Sequence, residues 1–185
     1  MNKWFLLLAI VTFGINLNAQ KYYTKEGKIS FYSDAPLERI EAHNNKATAV
    51  MDMTTGRIEW AVLIKAFLFE KALMQEHFNE NYMESTKYPK ATFQGQFLDW
   101  TAIDLSKEGE KTFDLQGKLT VHGVSKEIMT PATLIVKDGV ITGKSIIKIE
   151  VADYKISIPG VVRDKIAKEV EVNIEAQFQP LKSKS

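Results

Sequence analysis

Side chains able to do chemistry are few and scattered along this 185-residue chain. The three histidines, His43, His77 and His122, lie far apart, and none has a second histidine at a metal-ligand spacing. His77 has Glu76 and Glu80 nearby, but both glutamates also suit the solvent-facing side of a helix. Because a metal site needs three or four convergent donors, the spacing predicts no metal site.

The motifs of the common enzyme classes are missing from the sequence. It contains no Gly-x-Ser-x-Gly elbow, no phosphate-binding glycine loop and no His-Glu-x-x-His segment. The lack of cysteine excludes disulfides, thiolate metal sites and a cysteine nucleophile. We therefore expect no catalytic residues, no cofactor and no enzymatic activity. A hydrolase that uses paired carboxylates is the enzymatic alternative.

The first nineteen residues have the layout of an export signal. Lys3 gives a positive start, residues 4–15 form an almost uncharged apolar run, and Ala19 ends the segment with a small residue. The run is too short to span a bilayer, which needs about 20 residues. We predict a cleaved signal peptide over 1–19 and a periplasmic or secreted protein, with an uncleaved anchor as the alternative.

Composition and charge indicate that the chain after residue 19 is one globular domain. The chain is 45% hydrophobic and 25% charged, which is ordinary for a soluble protein. Without Lys3 the 24 basic residues fall to 23, equal to the 23 acidic residues. This balance argues against nucleic acid and an anionic membrane surface as partners, and we expect no stable membrane insertion after signal cleavage. We predict a single domain over 20–181 and a loose tail over 182–185; a homodimer stays open.

Alternation of apolar and polar residues dominates the domain and is typical of strands with one buried face. The Asp138-Gly139 pair indicates a hairpin turn, and one segment, about 70–83, has helical spacing. Seven to nine strands fit. The alternating apolar positions include Ile29, Phe31, Ala47, Ala49, Met51, Ile58, Trp60, Val62, Phe113, Leu115, Ala132, Leu134, Val170, Val172, Ile174, Ala176 and Phe178.

Many antiparallel strands with little helix form either a sandwich or a barrel. About eight regular strands can close on themselves, which removes unpaired edges and leaves an interior able to hold one small ligand. We therefore predict an all-β, antiparallel barrel of about eight strands. Its inward residues suit an apolar ligand, and a lumen filled by the protein's own side chains is the alternative.

Four segments carry a resemblance to a known family. Residues 77–95, HFNENYMESTKYPKATFQG, and 119–126, LTVHGVSK, resemble the YceI-like polyisoprenoid-binding proteins, and 27–42 and 153–159 are similar to one branch of them. The resemblance implies a lipocalin-like, eight-stranded barrel, exported to the periplasm, with a polyprenyl chain in its lumen. Residues 72–78 depart from the Asp-x-His-Leu-type segment of better-known members.

A lipid in the lumen requires a continuous dry wall, since each buried methylene contributes roughly 0.8 kcal/mol. Tyr82 and Tyr88 have two interpretations, a place at the mouth or packing of the helix onto the barrel, and we favour packing for both; Tyr82 is also included among the lipid-binding residues. Gly95 and the His122-Gly123 pair are interpreted as structural. The predicted wall residues, each of which has plain core packing as its alternative, are Phe67, Phe69, Met74, Phe78, Phe93, Phe97, Leu119, Val121, Ile147, Ile149 and Ile158.

The sequence thus predicts a non-enzymatic carrier or reservoir for a polyisoprenoid or similar lipid. A quinone-like or fatty-acyl ligand fits the same wall. The alternative, from a different class, is a stress-associated protein-interaction module whose barrel is filled and binds no ligand.

Overall fold

Eight long strands close into an antiparallel barrel in the computed structural model, which describes residues 21–101, 103–104 and 107–181. The predicted signal peptide over 1–19 and the predicted tail over 182–185 lie outside the described residues. The strands are β1 (Lys21–Asp34), β2 (Arg39–Asp52), β3 (Arg57–Leu63), β4 (Leu68–Phe69), β5 (Lys90–Phe97), β6 (Gly109–Val121), β7 (Val124–Lys137), β8 (Val140–Glu150) and β9 (Glu169–Pro180).

Strand order around the barrel is β1-β9-β8-β7-β6-β5-β3-β2, and pairing of β2 with β1 closes the ring. The two-residue strand β4 pairs with Ala42 and His43 of β2, beyond the end of the β2–β3 ladder. All ladders join antiparallel neighbours, so each strand exposes one face to the lumen and one to solvent. The prediction of an all-β, eight-stranded antiparallel barrel is confirmed.

The helical segment predicted over about 70–83 is present in two parts. Helix α1 (Ala72–His77) continues directly into a π-helical turn (Phe78–Tyr82), where the Met83 amide donates to the Phe78 carbonyl at 2.9 Å. The Gln75 side chain accepts from the Phe69 amide at 3.2 Å and so ties α1 back to β4. The segment therefore crosses one end of the barrel as a short cover.

The two ends of the barrel differ in construction. The tryptophan end carries the turn after β2, the β7–β8 hairpin turn and the connection from β5 to β6, which includes Trp100. The helix end carries the β1–β2 turn, the connection 64–89 between β3 and β5, which includes α1, and the connection 151–168 between β8 and β9. Two long connections, 64–89 and 151–168, thus lie at the helix end, and one, between β5 and β6, lies at the tryptophan end.

Aromatic packing plugs the tryptophan end. Trp100 stacks on Phe97 with ring centroids 5.4 Å apart and lies 5.2 Å from Phe113. Its indole nitrogen donates to the Met53 carbonyl at 3.0 Å. A Cβ at Gly56, where φ is +70°, would come within 2.6 Å of the indole, so only glycine leaves room for this plug.

Candidate functional site

A cavity of about 580 Å³ occupies the barrel interior. It runs from Phe97 and Phe178 near the tryptophan end to Glu38, Lys71 and Lys165 at the helix end, where the lysines are exposed. Because these exposed side chains belong to the cavity wall, the cavity opens to solvent at the helix end. The tryptophan end is closed by the aromatic plug.

The structure brings all twelve residues predicted as lipid-binding onto the wall of this one cavity. They come from strands on all sides of the barrel, from the helical cover and from the connection 151–168. They are Phe67, Phe69, Met74, Phe78, Tyr82, Phe93, Phe97, Leu119, Val121, Ile147, Ile149 and Ile158. Contact of these residues with a ligand stays a prediction.

The wall is larger than that set and strongly apolar. Strand alternation already pointed to many of the additional residues, but no periodic signal marks those between β8 and β9, because that connection is irregular. The additional apolar wall residues are Ile29, Phe31, Ile40, Ile58, Trp60, Ala61, Val62, Ile64, Leu73, Met83, Ala91, Leu115, Ile128, Ala132, Leu134, Val151, Ile156, Val162, Ile166, Val170, Val172, Ile174 and Phe178.

Several inward side chains are only half-buried. Ile147 and Ile149 on β8, and Val170, Val172 and Ile174 on β9, face the lumen yet keep part of their surface accessible. A core side chain normally touches protein on every side, whereas these touch the empty cavity on one side. The lumen is therefore not filled by the protein's own side chains.

Two glycines fix the position of the Phe93 ring on the inner wall. Gly95 of β5 pairs with Gly117 of β6, and a Cβ at these positions would lie 2.5 Å and 2.7 Å from the Phe93 ring. The two glycines thus make the flat patch on which the ring rests. Gly95 has the predicted structural role, that of allowing a close approach.

An aromatic cluster fixes the helical cover to the barrel. The Phe78 ring lies 5.4 Å from that of Phe31 on β1, 5.8 Å from Phe67 and 5.0 Å from Phe69. Such pairs contribute about 0.5–1.5 kcal/mol each beyond the area they bury. The cluster anchors the π-helical turn above the cavity and adds a large apolar surface to its wall.

Polar groups on the wall are engaged by the protein itself. The Thr130 hydroxyl donates to the Ile146 carbonyl at 3.1 Å, and the Ser33 hydroxyl accepts from the Ala167 amide at 2.9 Å. Burial raises the pKa of the Tyr82 phenol, which therefore stays protonated at neutral pH. These three polar groups of the wall are therefore two hydrogen-bonded hydroxyls and a neutral phenol.

Tyr88 packs against the barrel, the interpretation favoured for it from the sequence. Tyr88 lies outside the cavity wall, with its ring 4.6 Å from His122 and packed over Gly123, where a Cβ would come within 2.5 Å of it. The Gly123 backbone, at φ +74°, leaves the space that the ring fills. Sequence could not show this contact, because it depends on the fold bringing two distant segments together.

His122 links the covers of the helix end. Its Nδ1 lies 3.0 Å from the Tyr154 carbonyl oxygen and its Nε2 lies 2.9 Å from a Glu84 carboxylate oxygen. Each ring nitrogen thus faces one oxygen, from a different segment of the helix end. The structural role predicted for the His122-Gly123 pair therefore includes a tie between the helical segment and the connection 151–168.

No three His, Asp or Glu side chains converge as metal ligands within the described ranges. Across the same residues, no helix has the length and apolar character needed to cross a bilayer.

Comparison with known proteins now becomes informative. A family model for the YceI-like domain matches residues 12–178. A polyisoprenoid-binding domain of Saccharophagus degradans, implicated in plant cell wall breakdown, superposes with a TM-score of 0.74 at 14% identity and covers 88% of this chain and 99% of its own. Curated protein sequences give no significant match.

Two further solved structures share the fold. BcnA of Burkholderia cenocepacia has a TM-score of 0.67 at 19% identity, covering 83% of this chain and 96% of its own. The YceI protein of Campylobacter jejuni has a TM-score of 0.57 at 21% identity, covering 77% and 85%. At these identities the solved structures establish the fold alone. The match of the family model over most of the chain goes further: this protein belongs to the YceI-like domain family.

Proposed function

We propose that this protein binds a long apolar lipid, of polyisoprenoid or quinone-like chemistry, in its barrel and acts as an exported carrier or reservoir without turnover. The observation that carries the proposal is the apolar cavity of about 580 Å³ that is plugged at one end and opens at the other. Membership in the YceI-like family and the polyisoprenoid-binding description of one structural neighbour support the same class of ligand.

The cavity sets the length of chain that it can enclose. If each methylene-sized group takes about the 30 Å³ of a liquid water molecule, the volume holds roughly 20 of them, or about four isoprene units. Each contributes roughly 0.8 kcal/mol on leaving water, and part of this sum offsets the lost freedom of the ligand. A longer chain has to extend through the helix end.

Wall chemistry supports binding rather than catalysis. The cavity hydroxyls of Thr130 and Ser33 are held in hydrogen bonds to backbone groups, and the raised pKa of Tyr82 keeps its phenol neutral. Catalysis of acyl or glycosyl transfer needs a positioned base or nucleophile with a matched pKa. The alternative, a protein-interaction module, requires a barrel filled by its own side chains, whereas this lumen is hollow.

Extraction of the purified protein tests the proposal. The full chain would be expressed with its own first nineteen residues, purified without detergent, extracted with organic solvent and examined by mass spectrometry. We expect one apolar molecule per protein, or uptake of added geranylgeraniol at that ratio by protein that arrives empty. An extract without lipid together with no uptake would contradict the proposal.

Export is tested on the same material. The signal-like pattern of residues 1–19 supports cleavage after Ala19. Mass measurement of the intact protein from the periplasm or medium should give a chain that begins at Gln20. Full-length protein retained in the cell would contradict export.

A further inference from the structure

The connection 155–168, here called the strap, crosses the helix end between the Val151–Tyr154 turn and β9. Three hydrogen bonds hold it. The Asp164 carbonyl accepts from the Leu37 amide at 3.0 Å, the Ala167 amide donates to the Ser33 hydroxyl at 2.9 Å, and the Lys168 carbonyl accepts from the Val151 amide at 2.9 Å. The strap thus lies against the β1–β2 turn at the rim of the cavity.

The strap is apolar on two sides. Four of its side chains, Ile156, Ile158, Val162 and Ile166, belong to the cavity wall. Val161, between them in sequence, points the other way and is 92% exposed. A large apolar side chain so exposed at the mouth of an apolar cavity has no role in packing this barrel.

Other exposed apolar side chains gather at the same end. Among the described residues, four of the five most exposed large hydrophobic side chains belong to the helix end: Val161, Leu37, Leu68 and Leu73. Leu37 is 71% exposed, and its amide is hydrogen-bonded to the strap. Clustered exposed apolar surface of this kind marks an interaction site, whereas single exposed residues do not.

The strap also concentrates positive charge. It contains four cations, Lys155, Arg163, Lys165 and Lys168, against one anion, Asp164, and all four cations are exposed. None of the ion pairs within the described parts of the chain involves these four. The neutral balance of the whole domain, which argued against an anionic membrane partner, conceals this local excess.

We infer that the strap docks the helix end of the barrel onto an anionic lipid bilayer, with Val161 and Leu37 entering the interface and the strap cations contacting lipid phosphates. Apolar tips beside cations are the chemistry of interfacial binding, and each cation near such a surface adds about fivefold to affinity. The inference rests on the proposed function, because a lipid leaves and enters a bilayer without crossing water only where the cavity mouth faces that bilayer.

A bilayer suits this surface better than a soluble acidic protein does. The same strap that carries Val161 and the cations outward also lines the cavity with Ile156 and Ile158. The apolar path is therefore continuous from the outer rim to the lumen. A protein partner would cover the rim, but its binding does not require an apolar path that leads into the lumen.

Vesicle flotation of the full chain tests the inference. The probe is vesicles of equal parts phosphatidylglycerol and phosphatidylcholine, compared with phosphatidylcholine alone. We expect binding to the anionic vesicles that weakens with added salt as screening shortens the reach of the charges. The double variant Arg163→Gln with Lys168→Gln, two exposed strap cations that do not line the cavity, should bind about 25-fold more weakly, from two cations at about fivefold each.

Matched variants separate the strap from the general surface. Lys118→Gln with Lys137→Gln removes two exposed cations from outside the helix end, on β6 and β7, and should change vesicle binding less than twofold. Val161→Ser should weaken binding, whereas Met129→Ser, at a side chain 67% exposed on β7, should not. Equal losses in the strap and control variants, or no binding of the unmodified protein to anionic vesicles, would overturn the inference.

Uptake of geranylgeraniol from dilute ethanol, measured without vesicles, distinguishes the two proposals. The strap cation variant should take up this lipid like the unmodified protein, since neither cation is needed to fill the cavity. If vesicle binding depends on the strap but no variant takes up lipid, the proposed function fails and docking stands. If uptake is normal and strap variants float as well as the unmodified protein, docking fails and the proposed function stands.

Discussion

Two adjacent isoleucines on β8 provide a matched test of the cavity as a binding site. Ile147 faces the lumen and belongs to the cavity wall, whereas Ile146 is on the outer face and 58% exposed. The strand alternation that separates them makes Ile147→Asn and Ile146→Asn chemically identical changes on opposite faces. We expect only the inner substitution to weaken lipid binding.

The expected loss follows from the half-buried state of Ile147. A buried isoleucine contributes about 1.5–3 kcal/mol, and contacts already made in the ligand-free barrel account for most of that, leaving up to about 1 kcal/mol to the lipid. An amide left without a partner against the chain costs a further 1–3 kcal/mol, roughly. The sum, about 3 kcal/mol, corresponds to about 150-fold in Kd.

Stability of the empty protein should change much less, because the new amide can keep water as its partner in the open cavity. We expect Ile147→Asn to lower the free energy of unfolding by about 1 kcal/mol, as judged from urea denaturation. Binding would be followed by titration with geranylgeraniol and the emission of Trp60, which lines the cavity. If both variants fold and their Kd values agree within threefold, the lumen is not the binding site.

Three further predictions concern the barrel ends. Trp100→Ala removes the plug and should lower the free energy of unfolding by about 3 kcal/mol in urea denaturation; a loss below about 1 kcal/mol would refute the plug's role. His122→Asn keeps a residue type that tolerates positive φ but removes the ring contacts with Glu84 and Tyr154. Amide hydrogen exchange in residues 155–168 should therefore become faster. Unchanged protection of these amides would contradict the role of His122 as a tie. Burial, and then the charge of Asp153, raises the pKa of Tyr154. This group therefore contributes stability that is complete below the ordinary phenol pKa of 10.0 and is lost as pH rises through the native value, so the urea midpoint of the unmodified protein should fall more steeply above pH 10.0 than that of Tyr154→Phe.

The strand pattern and the cavity wall could be predicted from the sequence. In a closed barrel, every second residue of each strand faces the same interior. Once β5 and β6 are strands, Phe93, Phe97, Leu119 and Val121 have to face that interior. The same logic extends to β9, although its inward residues are only half-buried. Local pattern is sufficient here because the period of a strand fixes the side on which each residue lies.

The remaining features depend on contacts between segments that sequence spacing does not connect. Tyr88 packs on Gly123, some 35 residues later, and the tie from His122 to Tyr154 spans 32 residues. The inward face of the strap has no periodic signal because a 3₁₀ turn and irregular backbone interrupt it. The cavity volume is the difference between the interior volume of the barrel and the volume of the inward side chains. No local sequence pattern determines this difference.

The unequal construction of the two ends indicates the path of a ligand. Passage through the tryptophan end requires displacement of Trp100 together with Phe97 and Phe113, whose rings lie within 5.6 Å of one another. At the helix end the strap is attached to the β1–β2 turn by two hydrogen bonds, from Leu37 and to Ser33. At about 1 kcal/mol each, these bonds cost less to break than the aromatic plug. Opening at the strap leaves the aromatic plug intact, and it exposes the lumen on the side where Val161 and the strap cations already face outward.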